Sequence, residues 1–334
     1  MESTVQVSYS NQIVSDESIV TTNKTSFIEA NTIEVSLRHL KEDCIIPVFA
    51  KDNETTISHY QFINTAKEVI QEALGYQGEL VPDIRVSHVI KGRTPSAIGK
   101  PAKDLLEDEK TIYYERMAFL FEIPEITETV NGNTLNLCIG GVRSYNQENL
   151  FSKKSIEKFK IFIGFQNKVC TNLCISTDGL IEDLRVSSES ELAVHIRDLF
   201  ETYNSREHIE IMREMSTYIL TENQFAFLIG KMKLFAHLEK EMKKSIFPLT
   251  INDCQINLIV KNYFSDVNFS KSNDGFISLW NVYNLFTEAN KSTYISSNLE
   301  RNVNAYEFIN HIANLVKKGQ SNYFIQYNNI AFSE

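Results

Sequence analysis

The chain lacks most of the features by which a function is usually read. No run of about 18 consecutive apolar residues occurs, so no segment is expected to span a bilayer. The first residues, MESTVQVSYS, carry Glu2 and no apolar stretch of leader type. Cysteine is sparse: Cys44, Cys138, Cys170, Cys174 and Cys254 are odd in number and scattered, which points to reduced thiols and away from a disulfide scaffold. A cytoplasmic protein without membrane contact is the expectation. With Gly 12 and Pro 6, collagen-like and Pro/Gly-rich disordered classes are excluded. P-loop, dinucleotide-binding, zinc-protease, nucleophile-elbow and zinc-type Cys-x-x-Cys motifs are all missing. Each would place a group that a reaction physically needs, so no cofactor and no catalytic residue is expected.

Metal binding has little to rest on. Cys170 and Cys174 are the nearest thing to a ligand pair. On the strand expected there they share a face about 13 Å apart, at roughly 3.3 Å per residue, too far to chelate one ion. None of the seven histidines has a partner at metal spacing.

What is present is ordinary globular material: 43% hydrophobic and 23% charged residues, with thirty asparagines. Lys+Arg 33 against Asp+Glu 43 gives a net charge of −10. That balance disfavours a broad non-specific nucleic-acid binder but is compatible with a local basic groove.

Residues 1–26 show neither period and read as a flexible tail. Residues 27–58 read as short strands and turns, with IIPVFA (45–50) a buried run before the Asp52-Asn53 turn. His59 to Leu74 has helical spacing and ends at Gly75. Stretches 84–90, 111–123 and 134–143 alternate as strands, and Asn131-Gly132 is a strong hairpin signal. KIFIGF (160–165) and VCTNLCI (169–175) read as a second hairpin. Beyond about residue 180 the period becomes helical, with helices over 188–203, 206–219 and 221–244. QINLIV (255–260) reads as a strand. Helices then open at Asp274-Gly275 and at Asn304. The expectation is an α+β fold: a single domain over 27–334, whose N-terminal half (27–180) holds an antiparallel sheet packed by helices mostly from 181–334.

Two basic stretches cut against the acidic whole. Arg85, Lys91, Arg93, Lys100 and Lys103 occur between Ile84 and Lys103 without an acid. Arg143, Lys153, Lys154, Lys158, Lys160 and Lys168 form the second, offset by Glu148 and Glu157. With His88 and the aromatics Tyr113, Tyr114, Tyr145 and Phe151 nearby, they suggest phosphate neutralisation and base stacking. Residues 178–214 hold ten acids against four bases and could dock a basic protein partner.

Five blocks carry a resemblance: IRVSHVIKGRTPSA (84–97), EKTIYYERMAFLFEIPEI (109–126), GGVRSYNQENL (140–150), KFKIFIGFQNKVCTNLCISTDG (158–179) and LWNVYNLFTEANKSTYI (279–295). Together they resemble a domain of unknown function carried on conjugative and other mobile elements of gut anaerobes. The last two are distantly similar to the phage/plasmid-like protein family, which pairs a strand, here matched by Val169, Cys170, Asn172 and Leu173, with an N-x-x-T-E helix (Asn284, Thr287, Glu288). The resemblance implies genomic context and no chemistry. Asn284, Thr287 and Glu288 either line a pocket or satisfy a buried helix end. The expected function is a non-catalytic DNA-binding accessory protein of a mobile genetic element, favouring single strands. The alternatives are a metal-dependent nuclease and a counter-defence factor that binds protein through 178–214.

Overall fold

The computed structural model describes residues 26–45, 56–148, 156–326 and 331–332. The expected tail lies outside these residues apart from Ser26, as do residues 46–50 of the IIPVFA run, the Asp52-Asn53 turn, Phe151, Lys153 and Lys154. In chain order the elements are β1 (Ile33–Glu34), α1 (Leu37–Glu42), α2 (His59–Leu74), β2 (Asp83–Arg93), β3 (Lys110–Val130), β4 (Asn133–Ser144), β5 (Glu157–Asn167), β6 (Leu173–Cys174) and β7 (Leu180–Val186). The helix-rich half follows with α3 (Glu189–Thr202), α4 (Ser205–Thr217), β8 (Tyr218–Leu220), α5 (Glu222–Ala236), α6 (Lys240–Lys244), α7 (Asp253–Ser265), β9 (Ile277–Ser278), α8 (Leu279–Asn290), α9 (Ile295–Lys317) and β10 (Ala331–Phe332). No helix among the described residues is long and apolar enough to cross a membrane.

The main sheet has seven strands in the order β1-β2-β3-β4-β5-β6, with β7 also on β5, and every pair is antiparallel. The expected meander through 84–90, 111–123 and 134–143 is its centre. Asn131 and Gly132 have φ of +46° and +77°, the pair of left-handed residues that a two-residue hairpin needs. A Cβ on Gly141 would lie 2.4 Å from the Phe62 ring, so only glycine lets α2 seat this closely on the sheet.

Both faces of the sheet are covered. Ile84, Val86, Met117, Phe119, Phe121, Ile139, Ile161 and Ile163 point to one face. They join a single apolar cluster that continues through Phe62 of α2 and Leu192 of α3 to Trp280 and Phe286 of α8 and Ile312 of α9. Ala118, Leu120, Cys138, Val142 and Phe162 point to the other face, where Ile295, Leu299 and Val303 of α9 cover them together with Phe27 and Ile28. Helices from the C-terminal half therefore bury both sheet faces.

Several local expectations change. QINLIV is not a strand but part of α7. Asn252 and Gln255 form a capping box there, and Ile256, Ile259 and Tyr263 are buried at helical spacing. Six apolar-rich residues are too few to tell the two periods apart. Ser36 caps the helix α1 inside the stretch read as strands and turns. The 221–244 helix breaks into α5 and α6 around His237. Asp274-Gly275 is a turn, and Ser278 is the cap of α8. Alternation in β2 fails at His88, whose φ of +58° turns its side chain to solvent instead of placing it with Ile84 and Val86.

Candidate functional site

The two basic stretches share a sheet but not a groove. Arg85 stands opposite Ala118, itself opposite Val142, whereas Arg143 stands opposite Met117, itself opposite Val86. The two arginines therefore leave opposite faces. Arg143 was expected at a binding surface but is 0% exposed. Its guanidinium bonds Glu157 at 2.5 Å, Glu148 at 3.2 Å and the Ile57 carbonyl, between the rings of Tyr145 and Phe159. Glu148 and Glu157, which seemed only to offset local charge, are its partners. Tyr114 and Tyr145 are each 1% exposed and offer no face to a base.

Around them lies a closed polar cluster. His39 bridges the Asp43 carboxylate at 2.8 Å and the Tyr114 hydroxyl at 3.0 Å, and His59 donates from Nε2 to the Tyr114 carbonyl at 2.9 Å. Asp–His–hydroxyl is the order of an acid–base relay. Here burial pushes both the Tyr114 phenol and the neighbouring Cys44 thiol up to about 12, so neither is activated. Burial, then the Arg143 charge, holds His59 neutral with its pKa lowered to about 3.

The rest of the first stretch is partly neutralised. Arg85 bonds Thr32 and sits 3.7 Å from Glu34, Arg93 donates to the Lys100 carbonyl, and Lys100 pairs with Glu109. Lys91 and His88 are exposed, and Tyr113 is half-buried, edge-on to Tyr145.

Asn284 and Thr287 are both buried in a polar seam joining sheet to helices. Asn167 donates to the Asn284 side chain at 3.2 Å, and Asn172 to the Asn284 carbonyl at 3.0 Å. Asn284 donates to the Trp280 carbonyl at 2.9 Å. Glu288 pairs with the buried Lys291, whose ammonium also reaches the Cys170 carbonyl. The segment 169–173, expected as a strand, is a turn leading into β6, and with the N-x-x-T-E helix it forms two sides of one joint. The seam continues through Gln255, Asn290, Asn302 and Asn298, each bonded to the next at 3.0–3.1 Å.

The acidic segment 178–214 is mostly employed in the fold as well. Asp178, Glu191 and Glu207 bond to loop or cap groups, Glu189 bonds to Gln61, and Glu214 pairs with Lys317.

An open cleft of about 580 Å³ remains on the second sheet face, where the strands run past the apolar patch and α9 begins. Ser144 of β4 with Lys158 and Lys160 of β5 form its floor, Glu182 and Asp183 of β7 one wall, and Ser296 and Glu300 of α9 the other. Lys160 is held by Glu300 and by the Ser296 carbonyl at 2.7 Å, while Lys158 lies 3.7 Å from Asp183. Arg116 stands opposite Ser144 on the neighbouring strand, lies 3.6 Å from Glu115 and lays its guanidinium 5.5 Å from the ring of Tyr294, the residue before α9. Tyr294 is 55% exposed.

The helix end here is bare. Tyr294 supplies no side-chain cap, and only Ser297 among the first three N–H groups has a partner among the described residues, the Tyr294 carbonyl. Buried Arg116 Nε, Ser144 Oγ and Glu300 Oε2 have no hydrogen-bond partner among the described residues. An uncapped N-terminus beside Arg116 and Lys158 favours an anion, and the two acidic walls limit how much negative charge can enter. No group of three or more His, Cys, Asp or Glu among the described residues is arranged to hold a metal ion. Of these residues only Lys158 and Lys160 were visible as candidates in the sequence. Arg116, Ser144 and Tyr294 were not singled out, because the start of α9 carries no capping signature.

A family model described as "Domain of unknown function, B. Theta Gene description" (DUF3871) matches residues 8–325. No curated protein and no solved structure matches the chain. The chain belongs to the DUF3871 family.

Proposed function

We propose that this member of the DUF3871 family is a DNA-binding accessory protein of a mobile genetic element, one that holds strands without cutting them and takes single strands in preference to duplex. The α9 cleft carries the reading. Its floor holds Lys158, and beside it lie the exposed ring of Tyr294, on which a base can stack, the Arg116 guanidinium and the uncapped start of α9. Tyr294, Arg116 and Lys158 take the place of Tyr114, Tyr145 and Arg143 as the groups that touch the strand, and the exposed Lys91 and His88 add to its attraction. Because Glu182, Asp183 and a net charge of −10 oppose it, binding is weak and falls steeply with salt.

Fluorescence anisotropy with a labelled single strand at low salt tests this. The expected log–log salt slope is about −0.7 for each phosphate contact. Tyr294→Ala should cost about 1–3 kcal/mol if a base stacks there. Absence of binding to single and double strands alike would remove the proposal.

A further inference from the structure

Helix α5 turns a basic and apolar face to solvent on a chain whose net charge is −10. From Asn223 to Leu238 the sequence holds no Asp or Glu. Phe225, Leu228, Ile229, Met232 and Phe235 are the buried side of the helix. Ala226, Gly230 and Leu234 follow one another on the outward side, a turn apart, and Leu234 is 57% exposed. Lys231 flanks this stripe, its ammonium 4.7 Å from the Tyr323 ring and 5.3 Å from the Phe227 ring, and no carboxylate among the described residues pairs with it. Lys233 flanks the other side and bonds Asn257 of α7 at 2.6 Å, and α7 adds the exposed Lys261 a turn further on. The acids at the rim are already paired, Glu222 with Lys271 and Asp253 with Lys233.

Gly230 has no use inside the fold. A Cβ there would meet nothing within 4 Å, and glycine within a helix is destabilising relative to alanine. What it provides is a notch between Ala226 and Leu234 in which another backbone can lie close.

We infer that this face receives helix α3 of a second copy of the chain, joining copies head to tail. The solvent side of α3 is its complement. Val194, 49% exposed, stands among the exposed carboxylates of Glu191, Asp198 and Glu201, one or two turns away along the same face. An apolar residue ringed by acids thus meets an apolar stripe flanked by ammonium groups. Like net charges drive two copies apart over most of their surfaces, so the α5 face is where an acidic surface can settle. Its apolar centre suits a helix better than a phosphate backbone. On one chain α3 packs on α2 and α5 on α7, so the two faces are separate. Because they differ, the contact is heterologous and leaves a free face at each end of the assembly.

Sedimentation velocity of the full chain over a concentration series tests this. The unaltered chain should form dimers and longer assemblies as concentration rises. Leu234→Glu and Val194→Lys should each stay monomeric. Their equimolar mixture should form a dimer and stop there, because each variant supplies the face that the other lacks. Gly230→Gln should weaken association at least about tenfold by filling the notch, while its melting temperature stays or rises. All three positions are exposed, and unchanged circular dichroism separates loss of contact from loss of fold. An unaltered chain that remains monomeric at millimolar concentration would overturn the inference. So would self-association that persists in either single variant, or a mixture that stays monomeric. Loss of single-strand binding in Leu234→Glu would assign the face to nucleic acid and overturn it too.

Discussion

The Asn284 seam and the α9 cleft are both polar, both touch the sheet, and differ in how far their groups are satisfied. In the seam, Asn167, Asn284, Asn290 and Asn302 find partners within the chain. Beside the cleft, the Ser144 hydroxyl, the Arg116 Nε and the N–H groups of Ile295 and Ser296 find none among the described residues. Buried polar groups that satisfy one another specify how two halves pack, whereas unsatisfied ones hold nothing together. The Asn284 joint belongs to the first kind. The proposed site belongs to the second, and it uses residues that no motif marked.

The largest effect that can break this contrast is at Arg143. Arg143→Ala leaves Glu148 and Glu157 buried without their cation and should destabilise by about 3–5 kcal/mol in urea denaturation. A small loss there would mean that the arginine is not part of the core and return it to the list of binding residues. Asn284→Ala should cost about 1–3 kcal/mol, because the buried Asn167 amide loses its acceptor. DNA affinity of the folded fraction should not change.

Acid should weaken the closed regions. Burial lowers both His59 and His208 to about 3 from the ordinary 6.5. The unfolded chain therefore takes up protons first, and the stability these groups contribute is present above 6.5 and lost as pH falls towards 3. The slope should approach about 1.4 kcal/mol per pH unit for each histidine. Burial raises Glu148, which acts in the opposite sense above its ordinary range and trims the effect. Chemical denaturation across that window, repeated with His208→Gln, checks it, and a flat profile would contradict it. The smallest expected change is at Ser144. Since its buried hydroxyl bonds to nothing, Ser144→Ala should raise stability, by about 1 kcal/mol.

Legibility followed the kind of signal. Asn131-Gly132 and Ser188 act through local backbone chemistry, and His59 to Leu74 keeps a helical period up to Gly75, so the hairpin, α2 and the start of α3 could be read directly. The burial of Arg143 could not, because a count along the chain treats Glu148 and Glu157 as dilution when in space they are partners. The first turns of α9 were missed for a related reason. Asn298 and Asn302 occupy core positions where an apolar period demands Leu or Ile, so the helix seemed to begin at Asn304 and not at Ile295. The bare N-terminus on which the proposed site depends was hidden with it.

The most direct test of the account is the salt dependence of single-strand binding by Arg116→Gln beside the unaltered chain and Arg143→Met. The account predicts that Arg116→Gln binds more weakly, with a slope shallower by about 0.7, and that folded Arg143→Met keeps the affinity and slope of the unaltered chain. Unchanged binding by Arg116→Gln, with loss of binding in Arg143→Met, would contradict it.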